Sequence, residues 1–421
     1  MASGDTVAFC RGGAWANTTG SGVRNANCTA SNTCDIRDYI PSWGNANSPR
    51  PIIQTGNGKT LFFVGTPGPS HGGYRFWNLD IREGPDFTAG QGIFFFAGDV
   101  HDIDMCNLRM DGSYMSINLQ PSGAYNTKFS IRNSQFLNTG FGAVYGSPTG
   151  SIFESNVFQN NGLISTPQMH TIYFIVLTGG EAPVDAPGEV IFRNNDVRTD
   201  TRCGGVMLVI HGQFISTRLT FENNQVSTTS TNPNCYGIQT ASSARPGEFH
   251  NLVLRRNRIT TAGPTALELS CCQDCAATDN VIVGSGVNFN TASTCNGGPP
   301  GSRVTAQNNT LFNSSVTIGN QGSGYIVENN AVWTDQVSCF TVAPPTDRFA
   351  NNYCRAAGGA AVGTIWLGVP NGNFKPLNPG PLVGAANQTY YSPTAIGTVL
   401  WSPTDTGIPR APPIDIGALL R

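Results

Sequence analysis

SIFESNVFQ (residues 151–159), VIFRNNDVR (190–198), LTFENNQVS (219–227) and LVLRRNRIT (252–260) share one pattern. An asparagine stands sixth in each, with a hydrophobic residue three positions before it and another two after. The column Asn156, Asn195, Asn224, Asn257 continues as Asn280, Asn309, Asn330 and Asn352. Before it run Phe153, Phe192, Phe221, Leu254, Ala277, Ala306, Val327 and Phe349, and after it Phe158, Val197, Val226, Ile259, Ile282, Leu311, Val332 and Cys354. Three earlier copies fit if Leu79, Leu108 and Ser134 take the asparagine's place, so eleven copies run from about residue 74 to 354 at separations of 21 to 39 residues. A repeat of this length is the mark of a solenoid, and hydrophobic residues at alternate positions make each copy a coil of strands. An asparagine at the bend tolerates the left-handed conformation, and its amide can bond to its equivalents one coil above and below. The fold class expected is all-β, a single-stranded parallel β-helix.

The flanks lack the repeat. Residues 1–73 open with GDTVAFCRGGAW (residues 4–15), read as a first strand, a turn and then a Cys-, Asn- and Pro-rich capping segment. The helix is expected over 74–355, and the Gly- and Pro-rich segment 356–421, with Trp366, Phe374, Trp401 and a closing DIGA, as the opposite cap. The chain of 421 residues has 39% hydrophobic and 12% charged residues and a formal net charge of −2. That balance gives no broad field to attract nucleic acid or an anionic membrane. No apolar run reaches the roughly 20 residues of a membrane span, and the chain opens on Met1-Ala2-Ser3-Gly4 without a signal-like core. Twelve cysteines favour an oxidising, extracellular compartment. Cys28 with Cys34, and Cys339 with Cys354, are near enough in sequence to be candidate disulfides, and Cys271-Cys272-x-x-Cys275 is the alternative metal-binding cluster.

Many coils carry a further strand after a turn, such as Gly92–Phe96, Thr171–Phe174, Gly237–Gln239 and Ala266–Leu269. If Ile93, Ile117, Val144, Ile172, Val206, Ile238, Leu267 and Val287 point inward, their successors form an external column of Phe94, Asn118, Tyr145, Tyr173, Met207, Gln239, Glu268 and Asn288. On the sheet before the asparagine, the outward column Arg132, Glu154, Arg193, Glu222, Arg255 reads as a structural charge ladder.

The opening GDTVAFCRGG, the segment His170-Thr171-Ile172-Tyr173 with FRNND and FENNQ downstream, and the terminal DIGA together resemble the secreted right-handed parallel β-helix proteins. That group includes pectate-lyase-like polysaccharide lyases and several glycoside hydrolases. The resemblance covers nearly the whole chain and implies a right-handed coil, a secreted protein and a polysaccharide partner. Lyases of the group often use a Lys or Arg base with calcium. This sequence departs from them: its central coils have neither a lysine nor a clear acidic calcium site, so no cofactor is expected.

The candidate cleft lies over the further strand, walled by long loops around 177–188 and 228–247. A uronide lyase must neutralise a carboxylate, abstract the proton beside it and protonate the leaving oxygen. His211 or Tyr173 could act as base or acid, Arg202 or Gln239 could hold the carboxylate, and His170 could assist. Strict alternation turns His170 inward unless its strand starts after it. A glycoside hydrolase would pair Glu268 with Asp200 or Asp274. Tyr145 and Tyr173 could stack on sugar rings, while Asn118, Gln239, Asn288 and Asp200 could bind hydroxyl groups. The function expected is cleavage of a polysaccharide by β-elimination at a uronic acid. The alternatives are a hydrolase with a carboxylate pair and a non-catalytic glycan-binding or self-assembling surface or tail protein. The oligomeric state stays open.

Overall fold

The computed structural model describes residues 4–376 apart from 18–20, 24, 26, 57–58, 66–69, 84–91, 120–125, 165–169, 177–188, 200–204, 211–217, 233–234, 243–248, 290–301, 320–322, 343–345, 358–365 and 369–372. Two compact units divide the chain, Met1–Val209 and Ile210–Arg421. Each is a stack of coils whose strands pair in parallel with the coils above and below, which is a parallel β-helix.

In the Met1–Val209 unit each coil contributes to three faces. The first face stacks Thr6–Cys10, Cys34–Tyr39, His71–Trp77, Val100–Cys106, Asn126–Arg132, Ile152–Glu154 and Val190–Arg193. The second, just past the asparagine corner, stacks Ala14–Asn17, Ile52–Thr55, Asp80–Arg82, the starts of Arg109–Leu119 and Gln135–Gly146, Val157–Gln159 and Asp196–Thr199. The third stacks Ser21–Val23, Phe62–Val64, Phe94–Phe96, the ends of the same two long strands and Ile172–Val176. Because Arg109–Leu119 and Gln135–Gly146 run through the corner, the second and third faces are hydrogen-bonded into one sheet there. This is a bend in a solenoid, not barrel closure. The pairing also begins earlier than the repeat suggested: residues 6–64 form coils of the ladder rather than a separate strand and loop.

The Ile210–Arg421 unit repeats the plan. Its first face runs Leu219–Glu222, Leu252–Arg255, Ala276–Thr278, Thr305–Gln307, Tyr325–Glu328 and Thr346–Ala350. The second runs from Gln225–Thr228 to Tyr353–Arg355 and the third from Tyr236–Ser242 to Phe340–Val342. Beyond them Trp366–Gly368 and Asn373–Pro376 form an antiparallel pair.

The hydrophobic columns flanking the corner are the core. Phe76, Met105, Ile131, Phe153 and Phe192 on one side, and Ile81, Met110, Phe136, Phe158 and Val197 on the other, are completely buried. Burial of each such side chain contributes roughly 1.5–3 kcal/mol. In the second unit Ala277 and Ala306 interrupt the first of these columns, and they line a small internal gap with Leu311, Val327 and Phe289.

The corner divides its two tasks between neighbouring residues. Positive φ falls on the residue before the column asparagine, not on the asparagine itself: Asn78, Asn107, Asn133, Ser155 and Asn194 in the first unit, then Asn223, Arg256, Asp279, Asn308, Asn329 and Asn351 in the second, all with φ of 51–59°. The asparagine that follows turns inward and is buried. Its Oδ1 accepts both the backbone N–H and the Nδ2–H of the preceding coil's asparagine, as Asn280 does from Asn257 at 2.9 and 3.1 Å. Its own Nδ2 donates to the next asparagine and to a preceding carbonyl, here Asn309 and Leu254, both at 3.0 Å. The ladder runs Asn156–Asn195 in the first unit and Asn224–Asn257–Asn280–Asn309–Asn330–Asn352 in the second. Ser134 substitutes within it, accepting from Leu108 N at 3.1 Å while its own N–H reaches Asn156 Oδ1 at 3.0 Å.

Outside the core the charge ladder forms as expected. Arg193 holds Glu154 at 2.8 Å and Arg255 holds Glu222 at 2.7 Å, while Arg132 turns to Asp104 at 2.9 Å. Cys28 bonds Cys34 and Cys339 bonds Cys354, with Cα separations of 5.6 and 5.7 Å, and Cys235 and Cys271 are also disulfide-bonded. The bridges fit an oxidising compartment. With Cys271 bonded and Cys272 and Cys275 buried thiols, that cluster is not an open set of metal ligands.

Asn280→Ala should lower stability by about 2–4 kcal/mol, because it orphans two buried donors of Asn257 and one carbonyl. Ser155→Asn, at an exposed left-handed position, should raise it by about 0.5 kcal/mol. Urea unfolding reads both; a loss under about 0.5 kcal/mol for Asn280→Ala would contradict the role given to the ladder.

Candidate functional site

The third face of the Met1–Val209 unit gathers aromatic rings and buried polar atoms on one stretch of sheet. In register its outward column is Phe63, Phe95, Asn118, Tyr145 and Tyr173. Phe94, expected outward from the sequence, instead belongs to the core column with Phe62 and Ile117, and Phe95 takes the outward place. The physical reason is the run Ile93-Phe94-Phe95-Phe96, which has no alternation to fix its register.

Two residues earlier on the same side lies a shorter column, Ser116, Ala143 and Thr171, and Ala143 N donates to Thr171 O at 2.8 Å. Small residues at this level let the backbones close up. A Cβ on Gly142 would stand 2.6 Å from His170 O. The strand starts only at Ile172, so His170 escapes the alternation that would have turned it into the core and packs against the outward ring of Tyr173, with centroids 5.1 Å apart.

The rings form a continuous chain. Tyr114 stacks on Phe141 at 5.5 Å, Phe141 meets Tyr145 edge-on at 5.6 Å, and Tyr145 stacks on Tyr173 at 5.3 Å. The alternation in the sequence does not place Tyr114 and Phe141 at this site. They meet because the register of the two long strands shifts between Ser113 and Met115, a bulge that aims both residues at the corner. The sequence shows it only as two strands too long for one face. Since Tyr145 and Tyr173 cover each other's faces, a ligand meets their hydroxyl tips and edges rather than an open ring face.

Beside the rings is a group of polar atoms with no hydrogen-bond partner among the described residues: Ser113 Oγ, Ser116 Oγ, Asn118 Oδ1 and Thr171 Oγ1. Ser113, Ser116 and Thr171 have no exposure, and Asn118 is 9% exposed. A buried unmade hydrogen bond costs about 1–3 kcal/mol, so four on one stretch of sheet mark it as a place shaped for something other than stability.

Burial also shifts the titrating groups. It lowers His170, which is 8% exposed, to about 4, so the imidazole is neutral at pH 7. Burial, and next the neighbouring Tyr145, raise Tyr173 to about 12. Burial and then Tyr114 raise Tyr145. A neutral imidazole accepts a proton and a protonated phenol donates one, so His170 and Tyr173 stand in complementary states.

The remaining candidates fall elsewhere. In the Ile210–Arg421 unit Gln239, Glu268 and Asn288 follow one another in register as expected. Glu268, 6% exposed, is held through both oxygens, by Gln239 Nε2 at 2.6 Å and Ser270 Oγ at 3.0 Å. Thr240 Oγ1, which accepts Ser270 N at 2.6 Å, closes the knot. That is the wiring of a structural carboxylate. Asp274, a partner proposed for it, is gripped by Arg303 at 2.6 and 2.7 Å, which lowers its carboxyl pKa. His211, Arg202 and Asp200, the loop 177–188 and the side chain of Met207 lie outside the described residues. No protein-family model matches the chain, and no curated protein matches it either.

The pKa of His170 gives a pH dependence with a definite sign. Its folded value is below the unfolded value of about 6.5, so the unfolded state binds more protons; the stability is complete above pH 6.5 and lost as pH falls towards 4, about 3 kcal/mol in all. His170→Asn should flatten this part of the profile in urea unfolding between pH 7 and 4. Equal slopes for the two proteins would contradict the burial of His170.

Proposed function

We propose that the protein is an extracellular carbohydrate-active β-helix that binds an acidic polysaccharide on the third face of the Met1–Val209 unit and cleaves it by β-elimination. The observation that carries this reading is the coincidence, on one stretch of sheet, of the ring chain with four buried unpartnered polar atoms. Sugars present hydroxyl and C–H groups together, and a surface of phenol tips, ring edges and an amide meets both.

In this reading Asn118, which alone of the four keeps some exposure, hydrogen-bonds the uronate, with Ser116 and Thr171 buried behind it. His170 accepts the proton beside the carboxylate, and the Tyr173 phenol gives its proton to the leaving glycosidic oxygen. The new double bond remains on the uronate, and solvent then carries the proton from imidazolium to phenolate. An imidazole lowered to about 4 is a weak base alone. A bound carboxylate raises it towards the working pH, because a nearby negative charge favours the protonated ring. The substrate thus helps to arm its own base. Arg202 is the expected carboxylate clamp.

A hydrolase is less well supported. Among the described residues the ring cluster contains no carboxyl group, and Glu268 and Asp274 are each committed to other partners.

Incubation with a panel of acidic and neutral polysaccharides should release products absorbing in the ultraviolet, as unsaturated uronates do. Tyr173→Phe should then lower kcat by about 10²–10⁴-fold with KM little changed, while Tyr145→Ala should mainly raise KM. Reducing ends without ultraviolet absorbance, or full activity in Tyr173→Phe, would overturn the assignment.

A further inference from the structure

In the Met1–Val209 unit the first described coil, Thr6–Cys10, Ala14–Asn17 and Ser21–Val23, pairs on one side only among the described residues, with Cys34–Tyr39, Ile52–Thr55 and Phe62–Val64. Among the described residues no further coil covers the core at this end. Val7 lies in register with Ile36 and, one coil on, Phe76, which are 2% and 0% exposed, yet Val7 itself is 40% exposed. Trp15, in register with buried Ile53, is half-buried, and Phe9 leans edge-on against it at 5.3 Å. Ile40 and Trp43, 48% and 83% exposed, follow directly on the second coil's first strand.

Free strand edges are normally guarded by lysine, proline, a bulge or a covering segment. The strand TVAFC has no lysine and no proline, and its pairing with Cys34–Tyr39 is unbroken over all five residues. It is also rich in strand-forming residues. Such an edge is a template for another strand.

We infer that this end is the interface of a two-fold dimer, in which a second copy of the chain lays its own Thr6–Cys10 antiparallel against the first. The sequence is complementary to itself in the register centred on Ala8. Val7 then faces the partner's Phe9, Thr6 faces the partner's Cys10, and Asp5 faces the partner's Arg11. Val7 lies in the core column and Phe9 packs on the half-buried Trp15 beside the corner, so the apolar ends of the two stacks meet. Opposite charges meet at the rim. Arg11 already binds Asp38 and the Ala46 carbonyl through Nε and Nη1, and its guanidinium retains further donors for a second carboxylate. The same axis brings Ala14–Asn17 alongside the partner's Ser21–Val23. An isologous contact of this kind closes after two copies and does not propagate into fibres.

The proposal is independent of the glycan reading and is tested on the full chain. Light scattering after size exclusion should give twice the 44.6 kDa chain mass. Val7→Lys should raise the dimer dissociation constant by about tenfold or more, since it sets a charge into each of the two symmetry-related apolar contacts. Thr6→Cys reads the register directly. With oxidised glutathione as electron acceptor, its thiol and the partner's Cys10 thiol should lose two hydrogens to form a disulfide, giving a covalent dimer on non-reducing gels that Cys10→Ser abolishes. An opposed antiparallel pair has the Cα spacing a disulfide needs. A monomer at all concentrations would overturn the proposal. So would a dimer in which Thr6→Cys does not cross-link, or one unaffected by Val7→Lys, since association would then use another surface.

Discussion

The amide ladder at the corner is the constraint on which the rest depends. Each buried asparagine has donors and acceptors to satisfy, and its partners are the same group one coil before and one coil after, with carbonyls between. Asn257, Asn280 and Asn309 show the consequence: each is satisfied only while its neighbours sit at the spacing of parallel strands, about 4.8 Å. Coil lengths can vary from 21 to 39 residues because the additional chain leaves at other points and returns to this column. With the corner pinned, everything outward of it falls into files, and residues tens of positions apart in sequence, such as Asn118, Tyr145 and Tyr173, become neighbours.

Stability is unevenly spent on the two third faces. In the Ile210–Arg421 unit the polar groups Gln239, Thr240, Glu268 and Ser270 close on one another. In the Met1–Val209 unit Ser113, Ser116, Asn118 and Thr171 are buried and have atoms without a partner among the described residues. A stack with spare stability can carry such a cost locally. The contrast, rather than the presence of tyrosines, is what singles out this face, since stacked aromatic pairs also occur elsewhere, as with Phe312 on Trp333 at 4.5 Å.

The fold was legible because its signal repeats: a hydrophobic residue, two positions of slack, an asparagine, one position, another hydrophobic residue. The site was legible only in part. Tyr145 and Tyr173 could be placed because Val144 and Ile172 give clear alternation. Phe94 could not, since four consecutive apolar residues fit either register. Tyr114 and Phe141 depend on a bulge, which no periodicity reveals. The division of labour at the corner was hidden by composition. Asparagine is the commonest residue at both positions, and Ser155, Arg256 and Asp279 show which of the two needs only a tolerated positive φ. Residues 6–64 join the stack without an asparagine in the column, so the repeat that announces later coils is silent there.

Those early coils show why the column is asparagine and not something else. Near the first described coils the lateral bonds run outside the core and use charge: Arg11 binds Asp38, Asn78 Nδ2 donates to Asp38 at 2.8 Å, and Asn107 Nδ2 donates to Asn78 at 2.7 Å. That position is half-buried rather than fully enclosed, so a charge there keeps some contact with water. A buried file cannot use this solution, because identical ionised groups 4.8 Å apart at an effective dielectric of 20 repel by about 3 kcal/mol per neighbour. A file of identical neutral groups must both give and receive, and a hydroxyl offers a single proton for that purpose. The carboxamide has two protons and two lone pairs, enough to bind its upper and lower neighbours and still hold a backbone carbonyl and N–H. Asn is the shortest side chain to carry it, so the tightest corner of the coil selects asparagine over glutamine, and the column follows from the geometry of stacking itself.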